Sequence, residues 1–225
     1  MKRIILCIGL GLAAFILPQA YPARAGIWSA ATIDKVQRAT VTIYILDEKG
    51  KPIAQGSGFF FREAGHVATN YHVLGKATAA VAKTYDGTLC KLQAILARDR
   101  RDDLIEAAVD PSCAPSVYLL PADTQPKAGD PLMVVGSPLN VAKVTSKGRI
   151  LEIVDMPKLG KCIVHDARAS HGSSGGPVVN PAGEVIGIET AGVVSRPDMD
   201  YAIPVERFSR MSGSYRELKA SGSGN

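Results

Sequence analysis

From Ala39 onward the chain consists of short apolar runs separated by turn residues, and this spacing limits the possible folds more than any other feature. The runs include Val41–Leu46, Gly58–Arg62, Thr78–Thr84, Leu132–Val135, Arg149–Val154, Val185–Ile188 and Ala191–Val194. Clusters carrying Gly, Pro, Asn or Asp punctuate them, among them Glu48–Pro52, Asp86-Gly87, Gly136–Pro138 and Asn180–Gly183. Runs this short, with no long helical segment between them, predict an all-β fold of antiparallel barrels or a sandwich and argue against an α/β fold. Only the ends predict helix, at Ser29–Arg38 and Val205–Met211. The Pro- and Gly-containing stretch Ser116–Gly129 reads as a crossing between two lobes, 26–118 and 119–211. The Ser/Gly-rich end, 212–225, is expected to be mobile.

The first 25 residues have a different layout. Met1-Lys2-Arg3 is followed by the apolar stretch Ile4–Leu17 and then by Ala23-Arg24-Ala25, the arrangement of a signal peptide. Removing them takes away three basic residues and no acid, so the net charge falls from +5 to +2. The remaining Lys and Arg are scattered among acids, which excludes the basic stripe of a nucleic-acid binder. No later run approaches the roughly 20 apolar residues of a membrane span. An exported chain, periplasmic or secreted, is therefore expected, and export permits disulfides. Thr88–Arg98 and Leu104–Val109 read as strands joined by the turn Asp99–Asp102, and Cys90 and Cys113 lie almost equidistant from its centre. Hairpin symmetry predicts a Cys90–Cys113 disulfide, leaving Cys162 as a small buried apolar residue; Cys7 leaves with the signal.

Three places put a reactive side chain among residues whose role is geometric. In Gly172-Ser173-Ser174-Gly175-Gly176-Pro177 the glycines let the backbone turn tightly, so that a hydroxyl is presented and N–H groups converge as an oxyanion site requires. His72 follows the expected strand Val67–Asn70, and an acid stands at the mouth of a strand in Asp99–Leu104. Each alone has an ordinary structural reading: a flexible loop, a satisfied histidine, a solvated charge run. Together they run His, Asp, Ser along the chain, one of the known orders of the serine-hydrolase triad.

With Gly56-Ser57-Gly58, Thr69–Val73, Asp99 through Asp103-Leu104, Gly129-Asp130, Gly136–Pro138, Gly172–Gly176, Asn180–Ile188 and Ala202–Pro204, the chain resembles the trypsin-like serine proteases of the HtrA/Deg type. The resemblance implies a chymotrypsin-like double β-barrel with the site in the cleft between barrels. It implies His72 as general base, Asp103 as its orienting acid and Ser174 as nucleophile, with the N–H groups of Gly172 and Ser174 forming the oxyanion hole. Asp102 and Ser173 remain neighbouring alternatives. The edge Thr190-Ala191-Gly192 would pair with substrate backbone, and Arg168, Ala169, Ser170 and His171 would wall the first specificity pocket. An Arg168 pointing inward would favour an acidic substrate side chain, whereas one pointing to solvent would leave room for a small apolar residue.

The resemblance implies protein or peptide substrates and no cofactor, and His66, His165 and His171 show no metal-ligand spacing. Ile105 and Glu106 depart from the family pattern and put the packing of that strand in doubt. Too few residues follow Arg207 for a PDZ domain, so tethering of the family's usual kind is not expected, and no Ile-Val-Gly-Gly start points to activation by a newly cut terminus. A nucleophile elbow of the α/β-hydrolase type is excluded, since it needs its histidine after the serine and all four histidines precede Ser174. A catalytically inactive protease-fold module that binds peptides or a partner is the alternative reading.

Overall fold

The computed structural model describes residues 27–137, 144–157, 160–169, 172–190, 199–211 and 213–218. The proposed signal segment lies outside them. Helix α1, Ala30–Ala39, opens on Ser29, whose side chain accepts the N–H of Thr32 and satisfies one of the donors a helix start leaves over. Among the described residues, thirteen strands and a helical turn, α2 (Tyr71–Leu74), follow.

The first six strands are β1 (Thr40–Leu46), β2 (Pro52–Phe60), β3 (His66–Asn70), β4 (Ala79–Lys83), β5 (Leu89–Asp99) and β6 (Leu104–Val109). They run β4-β1-β2-β3-β6 in antiparallel order, and β5 closes the ring by pairing with both β4 and β6. The second group is β7 (Pro131–Gly136), β8 (Val144–Met156), β9 (Gly160–His165), β10 (Pro177–Val179), β11 (Val185–Thr190) and β12 (Asp200–Pro204). These close in the order β10-β11-β12-β9-β8-β7. Two six-stranded antiparallel barrels thus form the chymotrypsin-like fold that the resemblance implied. The segment between β6 and β7 is stitched to both, since Phe61 bridges Leu119 and Val185 bridges Pro121.

Each barrel has its own apolar filling. Ile43, Phe60, Leu92 and Ile105 lie in the first, and Leu132, Ile150, Ile163 and Ile186 in the second. A third cluster lies between the barrels, where Phe59, Phe61, Met133, Ile188 and Phe208 meet α1 through Val36 and Ala39. Alternation explains the division, because Phe59 and Phe60 point to opposite sides of β2. The doubt over β6 is resolved by the same logic: Ile105 fills the first barrel, and Glu106 faces Arg62 (3.8 Å) and His66 Nδ1 (3.1 Å).

The chain end differs from expectation. Gly213–Glu217, part of the expected mobile tail, forms β13 and pairs with Ala94, Ile95 and Ala97 of β5. Leu218 follows it into the first barrel's core, and its N–H donates to Gln93 O at 2.7 Å. An unpaired strand edge and a buried leucine outweigh the Ser/Gly composition. The C-terminal helix at Val205–Met211 is a 3-10 turn, Val205–Arg210.

The Cys90–Cys113 disulfide is present, with Cα atoms 5.6 Å apart. Replacing both cysteines by alanine is expected to lower stability by about 3 kcal/mol, read from denaturant unfolding midpoints. Cys162 is fully buried, and burial pushes its thiol above the ordinary range. Iodoacetamide should modify it only after unfolding, and native-state labelling detected by mass spectrometry would contradict that burial.

Candidate active site

Strand β3 delivers the chain to α2, so His72 sits on a helical turn immediately after a strand. Asp103 meets it from the β5–β6 turn. One carboxylate oxygen of Asp103, Oδ1, accepts the backbone N–H of His72 at 2.8 Å; Oδ2 lies 2.7 Å from His72 Nδ1. Thr190 Oγ1 donates to the same Oδ2 at 3.3 Å. The backbone carbonyl of Asp103 accepts from Tyr71 N (3.0 Å) and Asn70 Nδ2 (3.1 Å). Asp103 holds φ at +54°, a left-handed conformation that costs about 1–3 kcal/mol in a residue with a side chain. These bonds hold it there. With Nδ1–H directed at the acid, the ring presents Nε2 as its acceptor, and the His72 side chain is 47% exposed against 15% for Asp103.

The neighbouring acids have other work. Asp102 accepts from Arg207 Nη1 at 3.2 Å, and Asp99 caps the turn by accepting the N–H groups of Arg101 and Asp102. Asp103, and not Asp102, is therefore the acid brought to His72.

Ser174 lies between β9 and β10 in the second barrel. Its carbonyl oxygen accepts the N–H of Ser57, on β2 of the first barrel, at 2.9 Å. Ser57 Oγ in turn donates to Gly172 O at 2.6 Å and accepts the N–H of Ser137 at 2.9 Å. Gly175 donates to Glu189 O (2.8 Å) and Gly176 accepts from Glu189 N (2.9 Å), so β11 holds the turn from behind. Gly175 has φ +87°, and a Cβ there would lie 2.2 Å from Ser57 O. Only glycine fits such an approach. The same β2 passes under the histidine, since a Cβ on Gly56 would strike Val73. Ser174 and Val73, the residue after His72, thus meet adjacent residues of one strand.

The remaining candidates divide. Arg168 is exposed, its carbonyl accepting from Ser146 Oγ; Ala169 is half-buried and its N–H donates to Asp200 Oδ2 at 2.8 Å. Ser170, His171, Ala191 and Gly192 lie outside the described residues. Sequence reasoning named Thr190 for substrate contact, whereas its hydroxyl is on Asp103. It missed Ser57 as the tie to the Ser174 turn, although the Gly56-Ser57-Gly58 pattern marked the place. It also missed a buried pair, His165 Nε2 to Glu189 Oε2 at 3.0 Å, in which burial pushes the Glu189 carboxyl up and the bond from His165 opposes it. Among the described residues no group of three or more His, Cys, Asp or Glu is arranged to hold a metal, and no helix is long and apolar enough to cross a membrane.

The family model for the trypsin-like peptidase domain matches residues 56–188, a span that includes Ser57, His72, Asp103 and Ser174. The chain belongs to that family. It is 28% identical over 211 residues to serine protease HTRA3 of Rattus norvegicus, covering 84% of this chain and 44% of the relative. It is 34% identical over 144 residues to a probable periplasmic serine endoprotease DegP-like of Rhizobium meliloti, covering 63% of this chain and 28% of the relative. The chain thus spans less than half the length of these HtrA-type relatives. Among solved structures it superimposes on the serine endoprotease from Yersinia pestis with TM-score 0.69 at 23% identity, covering 80% of this chain and 63% of that one. The Rv3671c protease in its inactive form gives 0.68 at 19% identity, covering 80% and 89%. Both are likenesses of fold.

The turn sets a sharp contrast between glycines of equal dihedral. Gly175→Ala should destabilise the protein by about 3 kcal/mol or more, because strain and a backbone clash add. At Gly87, where φ is +93° but nothing lies within 4 Å, alanine meets no clash. It should cost only about 1–2 kcal/mol. Urea midpoints of the two variants test the difference.

Proposed function

We propose that the chain is an exported serine endopeptidase that cuts protein or peptide substrates through an acyl-enzyme. The observation that carries this reading is the double grip of Asp103 on His72, at the backbone N–H and at ring Nδ1, which orients the imidazole and fixes its tautomer. His72 Nε2 takes the proton of Ser174 Oγ as the oxygen attacks the substrate carbonyl. The backbone N–H groups of Gly172 and Ser174 stabilise the oxyanion. The imidazolium then gives its proton to the leaving amine, and water repeats the sequence to free the acid and restore the serine. An extended substrate backbone adds as a strand beside Thr190, Ala191 and Gly192.

The family match and the serine-protease descriptions of the HtrA-type relatives support proteolysis. Export is supported by the layout of residues 1–25 and by the periplasmic description of the Rhizobium relative.

A fluorophosphonate probe should label the wild type and fail to label Ser174→Ala, whose kcat should fall by roughly 10⁴–10⁶-fold. Asp103→Asn should lower kcat by about 10⁴-fold while the fold persists. A folded wild type that is never labelled and cleaves nothing would overturn the reading in favour of a protease-fold module that only binds.

A further inference from the structure

The junction between the barrels is apolar except along one line of hydroxyls. Thr42 of β1 and Ser57 of β2 stand opposite each other in register. Val41, Ile43 and Phe60 fill the first barrel, so alternation turns Thr42 and Ser57 to its outer face, the side on which Phe59 meets the second barrel. Ser137, the residue after β7, reaches both of them. Its hydroxyl bonds to that of Thr42, and its backbone N–H donates to Ser57 Oγ at 2.9 Å. All three side chains are buried, that of Ser57 completely. Buried hydroxyls cost folding free energy unless their bonds are made, and these bonds lead to the Ser174 turn.

Every polar group of Ser57 is engaged. Its N–H donates to Ser174 O at 2.9 Å, and its carbonyl accepts from Thr69 Oγ1 at 2.7 Å. Its hydroxyl accepts the Ser137 N–H and donates to Gly172 O at 2.6 Å. A hydroxyl carries one proton, so a lone pair occupied by Ser137 N–H leaves that proton directed at Gly172. The N–H and the hydroxyl of one residue therefore hold the carbonyls at both ends of the stretch Gly172-Ser173-Ser174. That stretch needs holding. Gly172 has φ +97°, and without a Cβ its own sterics leave other conformations open, each aiming its N–H elsewhere. Ser173 is wedged separately against Gly136, where a Cβ would lie 2.3 Å from Ser173 Oγ.

We propose that Ser57 is a positioning residue for the oxyanion step: its hydroxyl, oriented by Ser137 and through it by Thr42, holds Gly172 in the conformation whose N–H converges with that of Ser174 on the substrate oxygen. The inference rests on the proposed roles of Ser174 and Gly172. With the hydroxyl removed, Ser57 N still binds Ser174 O and the turn stays docked, but Gly172 O loses its donor and the peptide units beside it can rotate. Negative charge reaches the substrate oxygen only as the tetrahedral species forms. A misaimed donor therefore slows the chemical step without weakening ground-state binding. The bonds between Asp103 and His72 lie apart from Ser57, so the acid–base pair keeps its titration.

The test follows the rate of fluorophosphonate labelling of the full chain, in which Ser174 Oγ displaces fluoride from phosphorus and the phosphoryl oxygen stands where the oxyanion would. Ser57→Ala should react about 10²-fold more slowly than the wild type, yet reach the same final extent with the same pH midpoint. With a cleavable peptide, kcat should fall by a similar factor while KM changes by less than about twofold. A merely structural role predicts another pattern: a smaller labelled fraction, equal to the folded fraction seen by circular dichroism, reacting at the wild-type rate. If Ser57→Ala does not fold, Thr42→Val carries the test, since it removes the bond that steadies Ser137 without touching the turn; its labelling should slow by about threefold or more. The proposal is overturned if the folded variant labels at the wild-type rate, or if its slowing comes with a moved pH midpoint, which would put the damage at His72. A wild type that is never labelled removes the protease reading and the positioning role together, whereas a labelled wild type matched by its variant removes the positioning role alone.

Discussion

A single backbone bond, from the N–H of Ser57 to the carbonyl oxygen of Ser174, fastens one barrel to the other where the reactive groups lie. Strand β2 can come that close only because the facing turn has no side chains in the way. A Cβ on Gly175 would enter the carbonyl of Ser57, and one on Gly176 would come within 2.4 Å of Val135 O. The hydroxyl of Ser57 locks the contact by binding Gly172 and Ser137 at once. The energy behind this docking comes from the apolar cluster between the barrels, where Phe61 packs edge-on against Phe59 and tilted against Phe208. Site geometry is thus a property of how two independently filled barrels meet.

Polar groups buried near that junction carry paired loads. Arg207 is almost fully buried, yet it reaches Asp102 and the carbonyl of Lys161, joining the turn before Asp103 to the β8–β9 hairpin. Glu106, on β6, is held by Arg62 and His66. Removing one partner from such a group strands a charge, which costs more than the pair itself contributes. The turn carrying Asp103 is therefore braced from both barrels.

The barrel architecture was legible because short apolar runs bounded by turn residues mark the strands, and β1, β5 and β6 lie within a residue of the runs that predict them. Three of the strands not named among those runs carry a weaker signal. Strand β10 is only three residues long, β12 ends in a proline, and β13 sits in Ser/Gly-rich sequence. His72 and the Ser174 turn stood out because glycine and strand-end positions mark them locally. The roles of Ser57 and Thr190 did not, since each acts through a bond to a residue more than 80 positions away, Thr190 to Asp103 and Ser57 to Gly172. No local pattern encodes such a contact. The His165–Glu189 pair escaped for the same reason: a histidine at a strand end and a glutamate in an apolar run look ordinary until the barrel closes.

The end of β11 unites these observations. Successive residues of a strand face opposite sides, so Thr190 turns to Asp103 while Glu189 turns to the barrel interior, and the Glu189 backbone grips the Ser174 turn between them. One residue step separates the group that steadies the acid from the group that pairs with His165 inside the barrel. A shift of β11 by one position would exchange the two faces, putting a carboxylate against Asp103 and a threonine against His165. The antiparallel partners guard against that slip: β10 and β12 pair with β11 on either side, and the bulge between Val178 and Val179 fixes where its inward face begins. Register in one six-residue strand therefore governs both the bond that steadies Asp103 and the backbone grip on the Ser174 turn.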